Sequence, residues 1–180
     1  GTTVFAAHSI AVTAETIFYV PGYGLRSAAS TLISNARGEG DIKKLKSVGK
    51  LSVLLTIGMM LISGLLLYIG APLLMRLFSP SEPVVRLGAE MLRLVALSEP
   101  FFGLMIVLEG IFYGLSRTRY AFFVETVGMW GVRILFTWLC VHVWGLGLRA
   151  VWYCMIADNV CKAILFALPF FRKNSLLKLL

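Results

Sequence analysis

The feature that most restricts this chain is a set of five apolar runs, at about residues 4–36, 51–77, 87–115, 120–144 and 148–171. Each meets or exceeds the ~20 residues that an α-helix needs to cross the hydrocarbon core of a bilayer. Membrane strands would be ~10-residue segments of alternating polarity, whereas these runs are apolar all round. The expected fold is therefore all-α, a polytopic membrane helix bundle of five transmembrane helices forming a single membrane domain over residues 1–180. The first run is ~50 Å long at ~1.5 Å per residue, against a core of ~30 Å, so it must tilt, bend or project into the cytoplasm. Pro21 and Gly22 are its expected bend, and Pro100 that of the third run. Pro removes a backbone hydrogen bond and frees a carbonyl inside a helix.

Charge orients the bundle. Ten of the seventeen Lys and Arg residues lie in three segments: residues 37–50, the tight "SRTRY" turn at 116–120, and the tail with Arg172, Lys173 and Lys178. The opposite connections hold four, Arg76, Arg86, Arg93 and Arg149. By the positive-inside rule the first group, and the C-terminus with it, is cytoplasmic, which suits a protein of the cell inner (plasma) membrane. The net charge of +8 does not indicate nucleic acid, because the bases punctuate apolar runs and form no solvated basic face; the expected contact is the lipid bilayer. Gly58, Gly64, Gly103, Gly110, Gly128 and Gly131 recur within the runs, as expected where helix backbones pack closely. Gly1 opens the chain without a basic region before the first run, so no signal peptide is expected and the N-terminus reads as cut.

Five acids sit in apolar surroundings: Glu15, Glu99, Glu109, Glu125 and Asp158. An intramembrane charge costs at least ~2.5 kcal/mol, so each needs a partner, a proton or a water-filled cavity. The available bases are Arg26, Arg133 and Lys162. Asp158 and Lys162 are four apart and share a helix face, which predicts a local ion pair. Glu125 stands one turn from the start of its helix, within reach of water or the helix dipole. Glu99, before Pro100, either binds a cation or supports a kink. Glu15 and Glu109 have no base three or four residues away and are the strongest choices for binding a cation or a proton. Cys140, Cys154 and Cys161 have no metal-ligand spacing and read as small core residues, and His8 and His142 have no partner cluster, so no metal and no cofactor is expected. No nucleophile turn, metalloprotease motif or phosphate loop is present, so the chain does not read as an enzyme.

The stretch "AAHSIAVTAETIFYVPGYGLRSAASTLISNARGEGD" resembles the eighth helix and following loop of the multidrug and toxic compound extrusion (MATE) transporters, with Ala28-Ala29-Ser30 and Gly38-Glu39-Gly40-Asp41 at matching places. A second block, "EPFFGLMIVLEGIFYGLSRTRYAFFVETVGMWGVRILFTWL", is similar to the tenth helix, its basic loop and the eleventh helix, with the usual loop degraded to Tyr113–Arg119. The resemblance implies a C-terminal lobe without its first helix, a fragment that lacks the N-terminal lobe. It implies export of small organic cations or amphipathic drugs against inward Na⁺ or H⁺, with Glu15 and Glu109, and with them Glu99, as cation- or substrate-binding acids. Arg26 is expected to snorkel toward the cytoplasm. A flippase for lipid-linked saccharides of the same superfamily would want more bases than acids in the cavity, and a non-transporting structural subunit is the alternative from another class.

Overall fold

A computed structural model describes residues 1–172. Helix α1 is Thr2–Gly38, α2 Ile42–Phe78, α3 Glu82–Ala96, α4 Glu99–Gly114 and α5 Thr118–Thr126. From α5 the same span continues as a π-helical stretch π1 (Val127–Ile134), one turn of α-helix α6 (Leu135–Trp138) and a second π-helical stretch π2 (Leu139–Val143). Helix α7 is Leu148–Phe171. Among the described residues there is no strand, and four helices are long and apolar enough to cross a membrane, five when α3 and α4 are counted as one bent span.

The second and third helices begin earlier than the hydropathy suggested. The Asp41 carboxylate accepts the Lys44 backbone N–H at 2.9 Å and caps α2, so Lys43, Lys44, Lys46 and Lys50 lie in its first turns and not in a loop. Gly40, at φ +72, supplies the left-handed turn between α1 and α2. The third run is not one helix but two, bent by 55° at Leu97–Ser98. Pro100 sits in the first turn of α4, where its missing N–H costs nothing, and the Ser98 hydroxyl donates to the Val95 carbonyl at 2.8 Å across the break. Helix α1, by contrast, runs unbroken through Pro21, and Gly22 packs beside Met60, Phe102 and Ile106. Lys173 and Lys178 lie outside the described residues.

Helix α4 is the axis of the bundle. It packs on α1, α2 and α7, and all but four of its residues are buried. One core cluster surrounds Ile106, Ile111, Phe112 and Phe166; a second joins Ala7, Ala11, Leu67, Met75, Leu92 and Trp152. Outward leucines such as Leu54, at 70% exposure, form the lipid-facing surface of α2. The closest backbone approach joins α1 and α4. A Cβ on Gly110 would stand 2.5 Å from the Arg26 carbonyl oxygen, and one on Gly114 2.5 Å from that of Ser30. Gly64 does the same against the Ala96 carbonyl. Gly58 and Gly131, expected at such interfaces, face open space.

Candidate functional site

The five intramembrane acids divide into two kinds of surroundings. Glu109 is not without a base: its Oε2 lies 3.2 Å from Arg26 Nε, and the Tyr113 hydroxyl donates to its Oε1 at 2.9 Å. Arg26 also lies over the Tyr113 ring, 5.2 Å from its centroid, so it is drawn inward to Glu109 and does not simply snorkel. The partner is 83 residues away in sequence, which is why local spacing missed it. This pair latches α1 to α4.

A second group joins α5 and π1 to α7. Lys162 Nζ lies 2.9 Å from Glu125 Oε2 and 3.3 Å from Asp158 Oδ2, so the expected local pair is present and Glu125 is also held across the helices. Arg133 Nε stands 3.0 Å from Asp158 Oδ2 without its N–H aligned, which makes that contact ionic in character. Asp158 is fully buried. The wider π-helical backbone and the bare Gly128 make the room, since a Cβ at Gly128 would run into the Lys162 and Asp158 side chains. Two acids and two bases neutralise one another.

Glu15 and Glu99 remain. Glu15, on α1, is 1% exposed and accepts a hydrogen bond from the Tyr19 hydroxyl, one helical turn on. Tyr19 stacks on Phe102 of α4, ring centroids 4.2 Å apart, which fixes the phenol against the carboxylate. Glu99, also 1% exposed, opens α4 just past the bend, and neither of its carboxylate oxygens has a hydrogen-bond partner among the described residues. It therefore ties nothing together at the kink. Its Cβ and Cγ rest against Gly64 of α2, where no side chain intervenes. The Ser63 hydroxyl, donating to the Phe18 carbonyl at 3.2 Å, holds α2 onto α1 at the same level. Glu99 lies within electrostatic reach of Glu15, and Glu15 within that of Arg133.

The structure thus brings together Glu15 and Glu99, with Tyr19 as a third member. Glu109 is ten residues past Glu99 on α4, ~15 Å along the helix, and stands apart from them. Tyr19 was legible at the i,i+4 spacing from Glu15. Two buried carboxylates at the junction of α1, α2 and α4 need a proton or a bound cation to balance their charge. Among the described residues no group of three or more His, Cys, Asp or Glu side chains could hold a metal ion.

Comparison with known proteins identifies the fold and the family. The MatE family model matches residues 1–139. A probable multidrug resistance protein NorM of Brucella suis is 28% identical over 137 residues, which are 73% of this chain and 29% of that protein. The NorM protein of Thermotoga maritima is 22% identical over 94% of this chain and 37% of its own length. The chain therefore spans about a third of the length of these curated relatives. Among solved structures, the eukaryotic MATE transporter AtDTX14 superposes with a TM-score of 0.89 at 21% identity, over 99% of this chain and 40% of that one. A MATE structure in a bent conformation does so with a TM-score of 0.90 at 19% identity, over 97% of this chain and 39% of that one. The apolar helices are those of an integral membrane protein, and the chain belongs to the MatE family, the MATE transporters.

Proposed function

We propose that this chain forms part of a secondary active antiporter that exports cationic or amphipathic organic compounds in exchange for Na⁺ or H⁺. The observation that carries the reading is Glu99, a buried carboxylate whose two oxygens have no hydrogen-bond partner among the described residues and which lies within electrostatic reach of Glu15. A cation or proton bound between them removes their repulsion, and its loss restores it, so occupancy is linked to the packing of α1 against α4. Tyr19 orients Glu15 by donating its hydroxyl hydrogen, leaving the other oxygen for the ion. Glu109, held by Arg26 and Tyr113, keeps the α1–α4 contact in register and takes no ion. Support also comes from the relatives, which are multidrug resistance proteins by name, and from a MATE transporter, ClbM, whose structure contains Rb⁺. Alternating access needs two repeats moving about a central site, so efflux requires the further helices that the longer relatives carry. The basic ends of α1 and α2, with the C-terminus, face the cytoplasm of the inner membrane in this reading.

The test is substitution in the complete transporter that carries this chain. Glu15→Gln and Glu99→Gln keep shape and hydrogen-bonding capacity but cannot exchange a proton. Each is expected to abolish ion-coupled efflux per folded molecule while leaving yield and thermal stability near wild type. Unchanged efflux in either variant removes that residue from the site.

A further inference from the structure

Two of the three cysteines meet across the last helix hairpin. Cys140, in π2, and Cys154, in α7, place their sulfurs 3.8 Å apart, and both are buried. The connection between the helices positions them. The Leu146 backbone N–H donates to the Cys140 carbonyl at 2.8 Å, folding residues 144–147 back over π2 and aligning it with the first turns of α7. The two thiols line a cavity of about 380 Å³ whose remaining wall is Val132, Phe136, Leu146, Ala150 and Ala157, with the half-exposed Tyr153 at its rim.

This wall decides what can react with the pair. Two sulfurs do not complete the four-ligand shell of a structural metal. A disulfide brings the sulfurs to about 2.05 Å, so each must move by about 0.9 Å, within the swing of a cysteine side chain. The apolar lining comes mainly from the ends of two membrane spans, which favours lipid-soluble reagents over hydrated ones such as glutathione disulfide. Closing the pair to a disulfide releases two electrons and two protons, which a quinone takes up together as it becomes a hydroquinone. We propose that Cys140 and Cys154 form a dithiol site that a lipid-soluble quinone, entering this apolar cavity, oxidises to a disulfide.

One sulfur adds to a quinone ring carbon. The second sulfur attacks the first, and the S–S bond forms as the S–C bond breaks, its electron pair passing to the ring. The two thiol hydrogens end on the two ring oxygens, so one hydroquinone leaves for each disulfide formed. The product ties π2 covalently to α7. Cys161, two helical turns beyond Cys154 on α7, is ~10 Å away along the axis and takes no part.

The experiment uses the reduced full chain in lipid nanodiscs with a fully substituted short-chain benzoquinone, whose ring keeps no stable thiol adduct. Maleimide labelling, intact mass, peptide mapping and hydroquinone absorbance are followed together. The expected result is a fall from three reactive thiols to one, loss of the mass of two hydrogen atoms, one equivalent of hydroquinone, and a Cys140–Cys154 cross-linked peptide. Glutathione disulfide is expected to react at least tenfold more slowly. Cys161→Ser should retain the full reaction, and Cys154→Ser should abolish it; Cys161→Ser with the peptide map decides the matter even where Cys154→Ser fails to fold. Three surviving thiols, consumption of Cys161, or equal rates with the two oxidants would overturn the proposal.

Discussion

Gly114→Ala tests whether backbone contact, more than side-chain packing, holds α1 to α4. The added Cβ would stand 2.5 Å from the Ser30 carbonyl oxygen and 2.9 Å from Ile33 Cβ and Cγ2. An unstrained carbon-to-carbonyl contact is about 3.3 Å or longer, so the helices must separate by roughly 0.8 Å. The obstacle is backbone, which cannot rotate away. A gap of that size forfeits between about a quarter and a half of the dispersion energy of the atoms that face it, and overpacking of this kind costs about 1–3 kcal/mol. Alanine's better helix propensity returns up to about 1 kcal/mol. With the full propensity gain the net loss is up to about 2 kcal/mol, and the gap to a glycine replaced without a clash is the whole ~1–3 kcal/mol.

Two comparisons make the reasoning refutable. Gly58→Ala, in α2, meets nothing within 4 Å, so only the propensity gain applies and the protein should be as stable as wild type or more so. Gly110→Ala meets the Arg26 carbonyl in the same way, one turn earlier on α4. A single separation relieves both clashes, so the double variant should lose clearly less than the sum of the two. Reversible unfolding in mixed micelles, followed by far-ultraviolet circular dichroism, measures all four proteins. Equal stability of Gly114→Ala and Gly58→Ala would show that α1 and α4 yield freely at this contact. A fully additive double variant would show that the two glycines report separate contacts.

Lys162→Met leaves Glu125 without its ion-pair partner and the fully buried Asp158 with Arg133 as its remaining base among the described residues, and should cost about 3–5 kcal/mol in the same assay; Arg76→Ala, which breaks an exposed pair with Glu82, should change stability by less than about 1 kcal/mol. A loss below about 1 kcal/mol for Lys162→Met would mean that the four charges are already hydrated. Cysteines placed at Lys44 and Arg172 should react with a membrane-impermeant maleimide only after cells are opened, and labelling of either in intact cells would reverse the orientation.

Period and composition made the membrane helices legible because burial in lipid demands ~20 apolar residues whatever the neighbours are. Pro100 marked where a helix could begin, because its fixed φ suits a first turn whatever the neighbours are, and the bend falls just before it. The start of α2 was misplaced because hydropathy sees lysines and not the capping carboxylate of Asp41 beside them. Charge pairing was legible only at helical spacing, as with Asp158 and Lys162. Arg26–Glu109 and Lys162–Glu125 join residues 83 and 37 positions apart, and no local rule connects them. The π-helical stretches left no hydropathy signal, since they widen the backbone without altering which residues are apolar.

The distribution of charge is what separates the acids that build the lobe from those free to work in it. Five acids and three bases lie at membrane depth. Arg26 is committed to Glu109, and Lys162 to Glu125 and Asp158. Arg133 touches Asp158 and extends its field to Glu15, so it is shared. The two-charge excess of acid is therefore confined to the junction of α1, α2 and α4, at Glu15 and Glu99. A bundle that needed these carboxylates only for packing would do better with glutamine or leucine, because each costs several kcal/mol to bury without a counter-charge. In the proposed reading the missing counter-charge is supplied from outside and withdrawn again, which is the condition an ion-coupled transporter has to meet.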